Sequence, residues 1–127
     1  MSQVKFYKCN ICGRIVGVIV DSGSQLVCCG QPMEELVPNT VDAAAEKHVP
    51  VISTEGTAVN VKVGEVEHPM VDDHYIQWIY IKTEQGGQHK SLKPGDKPEA
   101  VFELAGGDKL VAAYAYCNKH GLWMAEA

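Results

Sequence analysis

The sequence lacks any apolar run long enough to cross a bilayer, and Met1 to Lys8 holds no apolar segment of the signal-peptide kind. A soluble, cytosolic protein that does not engage membranes is therefore expected. Positive charge is also scarce. Eleven Lys and Arg stand against 16 Asp and Glu, a formal net charge of −5, which excludes a broad nucleic-acid or anionic-membrane surface while leaving room for a small local positive patch. No helical stripe of useful length is present, and turn-rich stretches divide short alternating runs, as expected for an all-β chain. Cysteine is limited to five residues, an odd number. In a reducing compartment such cysteines bind metal or do redox work more often than they pair as disulfides.

With 127 residues, 46% of them hydrophobic, the chain can build one ordinary domain, or one of about 90 residues behind a module too small to stand alone. The second arrangement fits the pattern better. From Lys5 to Val37 the chain reads as two short hairpins, with Arg14 to Val20 a β-branched run and Asp21-Ser22-Gly23-Ser24 a turn. About thirty-five residues bury too little apolar surface to fold by packing alone, so this module should depend on a metal. The division is placed at residues 1–37 and 38–127. Beyond it, Val41 to Lys47 reads as a helical turn or linker, and strands follow. Val59, Val61 and Val63 share a face, His74 to Lys82 is rich in aromatic and β-branched residues, Ala100, Phe102 and Leu104 alternate, and Lys109 to Cys117 alternates again. This rhythm predicts an immunoglobulin-like antiparallel β-sandwich.

The nitrogen and sulfur donors fall into two groups. Cys9-x-x-Cys12 and the adjacent pair Cys28-Cys29 offer four thiolates, the number a tetrahedral iron or zinc takes. Neighbours on an extended strand point to opposite sides, so both sulfurs of Cys28-Cys29 reach one ion only if the backbone turns there. A plain zinc ribbon is the ordinary reading of paired cysteines; the adjacent pair favours iron and resembles desulforedoxin. The second group is His48, His68, His74, Cys117 and His120, each placed beside a strand. Any one histidine is usually just solvated or hydrogen-bonded. Four, joined by the only cysteine outside the first module, are a different matter: five such donors exceed what structural zinc needs and suit an iron with one free position. His89, in Gly86-Gly87-Gln88-His89, reads as an exposed loop residue. His48 follows Glu46-Lys47, which puts a carboxylate and a cation directly before the second group in an otherwise acidic chain.

Taken together, the Cys9-Cys12-Cys28-Cys29 module, Glu46-Lys47-His48-Val49-Pro50, His68-Pro69-Met70, His74-Tyr75-Ile76-Gln77-Trp78 and Cys117-Asn118-Lys119-His120-Gly121-Leu122-Trp123 make the whole chain resemble desulfoferrodoxin, the two-iron class of superoxide reductase. The resemblance implies two mononuclear irons. One is held by the four cysteines, in a desulforedoxin-like module. The other is held equatorially by His48, His68, His74 and His120 and axially by Cys117, in the sandwich. It further implies reduction of superoxide to hydrogen peroxide, Glu46 as a ligand of the resting ferric ion, Lys47 as the cation that draws in the anion and helps order a proton-supplying water, rubredoxin as electron donor, and a homodimer. Two rivals stay open at this point. Cys117-x-x-His120-x-x-x-Met124 resembles the ligand loop of a cupredoxin, and a zinc-ribbon binding module would use the first cysteines without catalysis.

Overall fold

The computed structural model describes residues 4–127. The chain divides into two compact units, Met1–Val37 and Pro38–Ala127.

In the first unit β1 (Phe6–Lys8) is the central strand, flanked by β2 (Ile15–Gly17) and by β5 (Glu34–Leu36), both antiparallel. A two-rung ladder joins β3 (Val27–Cys28) to β4 (Gln31–Pro32). The expected pair of hairpins is thus a three-stranded sheet plus one hairpin. The β-branched run stops early: strand pairing ends at Gly17, and Ile19 and Val20 are 99% and 85% exposed. Only Phe6 and Cys9 are buried among the described residues of this unit. One buried phenylalanine contributes about 1.5–3 kcal/mol, far below the ordering cost of some thirty residues, so packing cannot carry the unit.

The second unit is a sandwich of two antiparallel sheets. After a single helical turn, α1 (Ala45–His48), come β6 (Pro50–Glu55), β7 (Ala58–Val63), β8 (Ile76–Thr83), β9 (Gly87–Ser91), β10 (Glu99–Glu103), β11 (Leu110–Cys117) and β12 (Gly121–Glu126). One sheet runs β10-β7-β6 and the other β12-β11-β8-β9. This is the immunoglobulin-like plan, with β9 hydrogen-bonded beside β8. Val59, Val61, Val63, Ala100 and Phe102 from the first sheet pack with Ile79, Ile81, Ala113, Ala115 and Cys117 from the second. No helix among the described residues is long and apolar enough to cross a membrane.

Two departures from simple alternation shape the functional end. Strand β11 is buried on both faces from Ala112 to Cys117, because Tyr114 and Tyr116 on the face away from the core pack against Tyr80 and Trp78, the latter pair stacked at 5.7 Å. The register also shifts where Tyr116 opposes Trp78 but Cys117 opposes Ile76. The extra residue lets Ile76 and Cys117 both face inward. His89 lies on β9 opposite Tyr80, exposed, in a strand and not in a loop. That strand carries no apolar alternation. Its Gln88 and Lys90 instead donate to the carbonyls of Glu103 and Val101, covering the outer edge of β10.

Candidate metal centres

The four cysteines of the first unit converge through two different turns. Cys9 leaves β1 and donates its N–H to Arg14 O at 2.8 Å, while Gly13 N–H returns to Cys9 O at 2.9 Å and Cys12 N–H points at Cys9 Sγ at 3.5 Å. The adjacent pair is solved by a two-residue hairpin. Cys28 and Gln31 are paired, and the residues between them, Cys29 and Gly30, have φ of +53° and +73°. Two successive left-handed residues make the type I′ turn that suits a tight hairpin, and here it swings Cys29 onto the side of Cys28. The sulfurs of Cys12 and Cys28 lie 3.7 Å apart, and those of Cys28 and Cys29 3.9 Å. A tetrahedral ion with bonds of about 2.3 Å requires sulfurs about 3.8 Å apart, so this set fits one metal.

The ionisation of the set agrees. Amide N–H groups of Cys12 and Ile11 lower the Cys9 thiol to about 6, whereas the neighbouring Cys12, Cys9 and Cys28 push Cys29 up to about 12. Four thiolates in one place repel each other, and a bound cation removes the conflict. Cys12→Ser is therefore expected to empty this centre and melt the first unit while leaving metal in the second. Metal analysis with visible absorbance checks it; loss of both metals would show the two centres to be interdependent.

The second set is gathered from four places in the sandwich. His48 ends α1, a helical turn of the kind Val41 to Lys47 admits, which stops where Val49 is extended ahead of Pro50. His68 and His74 lie between β7 and β8. His74 was expected to open the strand, yet it pairs with Val71 in an isolated bridge, and β8 begins at Ile76. Cys117 ends β11, and His120 sits in the turn to β12. One donor atom from each of these five lies within 4.8 Å of all the others.

The four imidazoles form a closed ring of edge-to-face neighbours. Centroids are 4.7 Å apart for His48 and His68, 4.8 Å for His68 and His74, 5.0 Å for His74 and His120, and 4.9 Å for His120 and His48. His48 Nδ1–H donates to Ala44 O at 2.7 Å and His68 Nδ1–H to Pro69 O at 2.6 Å. Their Nε2 lone pairs then face each other at 3.1 Å, and His120 Nδ1 is 3.1 Å from His48 Nε2. Bare lone pairs at that distance repel. An ion with metal–nitrogen bonds of about 2.1 Å at right angles places its nitrogens about 3 Å apart. His74 Nε2 is buried without a hydrogen-bond partner, the state of a ligand atom awaiting its metal. Cys117 Sγ lies 3.9 Å from His120 Nδ1.

Burial lowers His68 to about 4 and also lowers His48 and His74, so these rings are neutral near pH 7 and able to donate. Burial raises the Cys117 thiol, opposed by the backbone N–H groups of Lys119 and His120. Those amides offer the sulfur stabilisation once it is ionised.

Glu46 and Lys47 are exposed on α1, directly before His48. Their backbone rests on Gly64, where even a methyl group would come within 2.6 Å of Glu46 O and 2.9 Å of Lys47 C. Val66 N–H also donates to Glu46 O at 2.9 Å. His89 belongs to neither donor set. Three supporting residues escaped the sequence reading: Gly64, Asn118, and Trp123, which stacks on His48 at 5.0 Å and donates Nε1–H to His120 O at 2.9 Å. Only the position of Asn118 and Trp123 beside Cys117-x-x-His120 hinted at them.

Comparison with known proteins agrees along the whole chain. Residues 40–126 match the desulfoferrodoxin family and residues 2–36 the desulfoferrodoxin N-terminal domain. The desulfoferrodoxin of Syntrophotalea carbinolica is 50% identical over 124 residues, covering 98% of this chain and 97% of its own. A desulfoferrodoxin homolog of Archaeoglobus fulgidus is 52% identical over 124 residues, covering 97% of this chain and 98% of its own. The crystal structure of the superoxide reductase from Treponema pallidum superposes with a TM-score of 0.84 at 38% identity, covering 98% of this chain and 100% of that one. Two donor sets, each in the unit where its family counterpart matches, and identity near one half from end to end lead to one conclusion: the chain belongs to the desulfoferrodoxin family.

Proposed function

We infer that the protein is a superoxide reductase, converting superoxide to hydrogen peroxide with one electron and two protons. The observation that carries this reading is the convergence of His48, His68, His74, His120 and Cys117 on one point, with His74 Nε2 buried and unpartnered. Both donor sets suit mononuclear iron, which His48, His68, His74, His120 and Cys117 would hold at the second centre, where it would supply one-electron redox chemistry when bound. Cys117 contributes the strongest electron donor of the set. Met124 pairs opposite Tyr114, on the sheet face away from the core that Cys117 lines, which disfavours the copper alternative.

Measuring superoxide consumed and peroxide formed by the pre-reduced protein tests the assignment. One peroxide per superoxide means reduction; half as much would mean dismutation and overturn it. Metal analysis is the companion test, since zinc or copper in place of iron would do the same.

Lys47 and Glu46 are assigned catalytic roles on this reading. An exposed lysine next to His48 gives an acidic protein the local positive field that an anion needs to approach. Lys47→Ala is expected to slow the second-order step about tenfold at low ionic strength and to flatten its salt dependence; an unchanged rate would remove the steering role. Glu46 offers a carboxylate to the oxidised centre. Glu46→Ala should leave the reduction rate within about twofold, since an interaction absent from the rate-limiting transition state does not move kcat/KM. It should alter the ferric absorption spectrum, and an identical spectrum would dismiss the ligand role.

Residues 1–37 are assigned as a desulforedoxin-like iron module and residues 38–127 as the reductase domain. Five cysteines free of disulfides support a reducing, cytoplasmic setting. The family resemblance further supports a rubredoxin-like electron donor, a homodimer and a part in detoxifying superoxide.

A further inference from the structure

His48 and His68 are each turned toward the centre by a hydrogen bond from the ring itself, to Ala44 O and Pro69 O. Such outer partners normally fix the orientation of a metal-binding imidazole. In the His74 ring the donor atom Nε2 is buried and unpartnered. What holds it is its backbone. Asn118 Oδ1 accepts the N–H of Tyr75 at 3.0 Å, and Asn118 Nδ2 donates to the carbonyl of Asp73 at 3.1 Å. The carboxamide therefore grips the residues on either side of His74. Asn118 N–H donates to Tyr75 O at 3.2 Å, and the Val71–His74 bridge, at 3.0 and 3.1 Å, closes the far side of the loop.

This clamp takes over where the β-ladder stops. The β11–β8 pairing shifts register after Tyr116 and ends at Cys117 opposite Ile76. From there the side chain of Asn118 imitates one more peptide group, offering an acceptor and a donor to the loop that follows Val71. Because Asn118 is bonded directly to Cys117, it ties the segment carrying the sulfur to the segment carrying one of the imidazoles.

We propose that Asn118 is a positioning residue whose carboxamide holds His74 in register with Cys117, so that the imidazole and the thiolate are presented to the same ion. The proposal rests on the assignment of the five-donor set to iron. A residue that merely tied a turn would change stability when replaced but would leave the electronic signature of the centre alone. A positioning residue changes both affinity and spectrum.

The test uses the full chain loaded with iron, with the four-cysteine centre as internal reference. Asn118→Ala is expected to weaken iron binding at the five-donor centre by about 10–100-fold and to shift the thiolate-to-ferric absorption band, with the first centre unchanged. Asn118→Asp is the sharper variant. It keeps the acceptor for Tyr75, loses the donor to Asp73, and adds a negative charge that by simple electrostatics would favour a cation. The clamp predicts weaker binding than in the parent protein in spite of that charge. Parent-like affinity and spectrum in Asn118→Ala, or tighter binding in Asn118→Asp, would overturn the proposal. If the parent protein itself takes no iron at the five-donor centre, the iron assignment falls and takes the clamp with it. Parent binding with indifferent variants overturns the clamp alone.

Discussion

Cys117→Ser is expected to cut superoxide reduction by about three orders of magnitude, equivalent to some 4 kcal/mol of barrier, while iron stays bound. The side chain sits at the inner end of β11, fully buried beside Ala115 and Ile76, so an oxygen of nearly the same size fits without repacking. Four imidazoles remain to hold the ion. What disappears is charge. A buried serine hydroxyl keeps its proton near pH 7 and lacks the polarisable lone pairs through which a thiolate pushes electron density onto iron. The amide N–H groups of Lys119 and His120, aimed at an ionised sulfur, would then face a neutral oxygen. Stopped-flow decay of superoxide with the reduced variant, beside its iron content, decides the matter. Parent-like turnover in an iron-replete Cys117→Ser protein would show that the imidazoles suffice and that sulfur is no more than an anchor.

Gly64→Ala should damage the sandwich although it adds only a methyl group. The added methyl would stand 2.6 Å from Glu46 O, 2.9 Å from Lys47 C and 3.1 Å from Glu46 C, all of them backbone atoms that cannot rotate aside. The helical turn must move, and it takes with it the bond from Val66 N–H to Glu46 O and the hydrogen bond that orients His48 from Ala44. Overpacking of this kind costs about 1–3 kcal/mol. For a domain of this size that lowers the melting temperature by roughly 10 °C. His48 is displaced together with Glu46 and Lys47, so iron retention and capture rate should fall as well. A variant that melts with the parent and keeps its iron would show that the contact yields freely.

The donor atoms were legible because chemistry restricts them: few residue types bind iron, and here nearly all the cysteine and histidine is committed to two points. The sandwich was legible through Val59, Val61 and Val63, whose two-residue spacing is a direct image of one buried sheet face. Strand β9 was hidden, since Gln88, His89 and Lys90 face solvent or cover the edge of β10, and neither task leaves a hydrophobic rhythm. His74 looked like the start of a strand because its neighbours are β-formers; the register shift near Cys117, a property of two paired strands, moves that start to Ile76. The roles of Gly64 and Asn118 left little trace in the sequence for a common reason. Their partners are main-chain atoms elsewhere, and a main-chain atom has the same name whatever residue supplies it.

The closed circle of imidazoles has a consequence for how the protein acquires its metal. Each ring abuts the flat of the next, so tilting one drives it into its neighbour, and the set behaves like meshed gears that turn together or not at all. A cup shaped in this way sets its lone pairs 3.1 Å apart, and a bound cation would relieve their repulsion. It also resists ions that prefer other angles, since distorting one corner strains the remaining three. The cysteine module, with only Phe6 and Cys9 buried among its described residues, would lean on its ion far more heavily than the sandwich does.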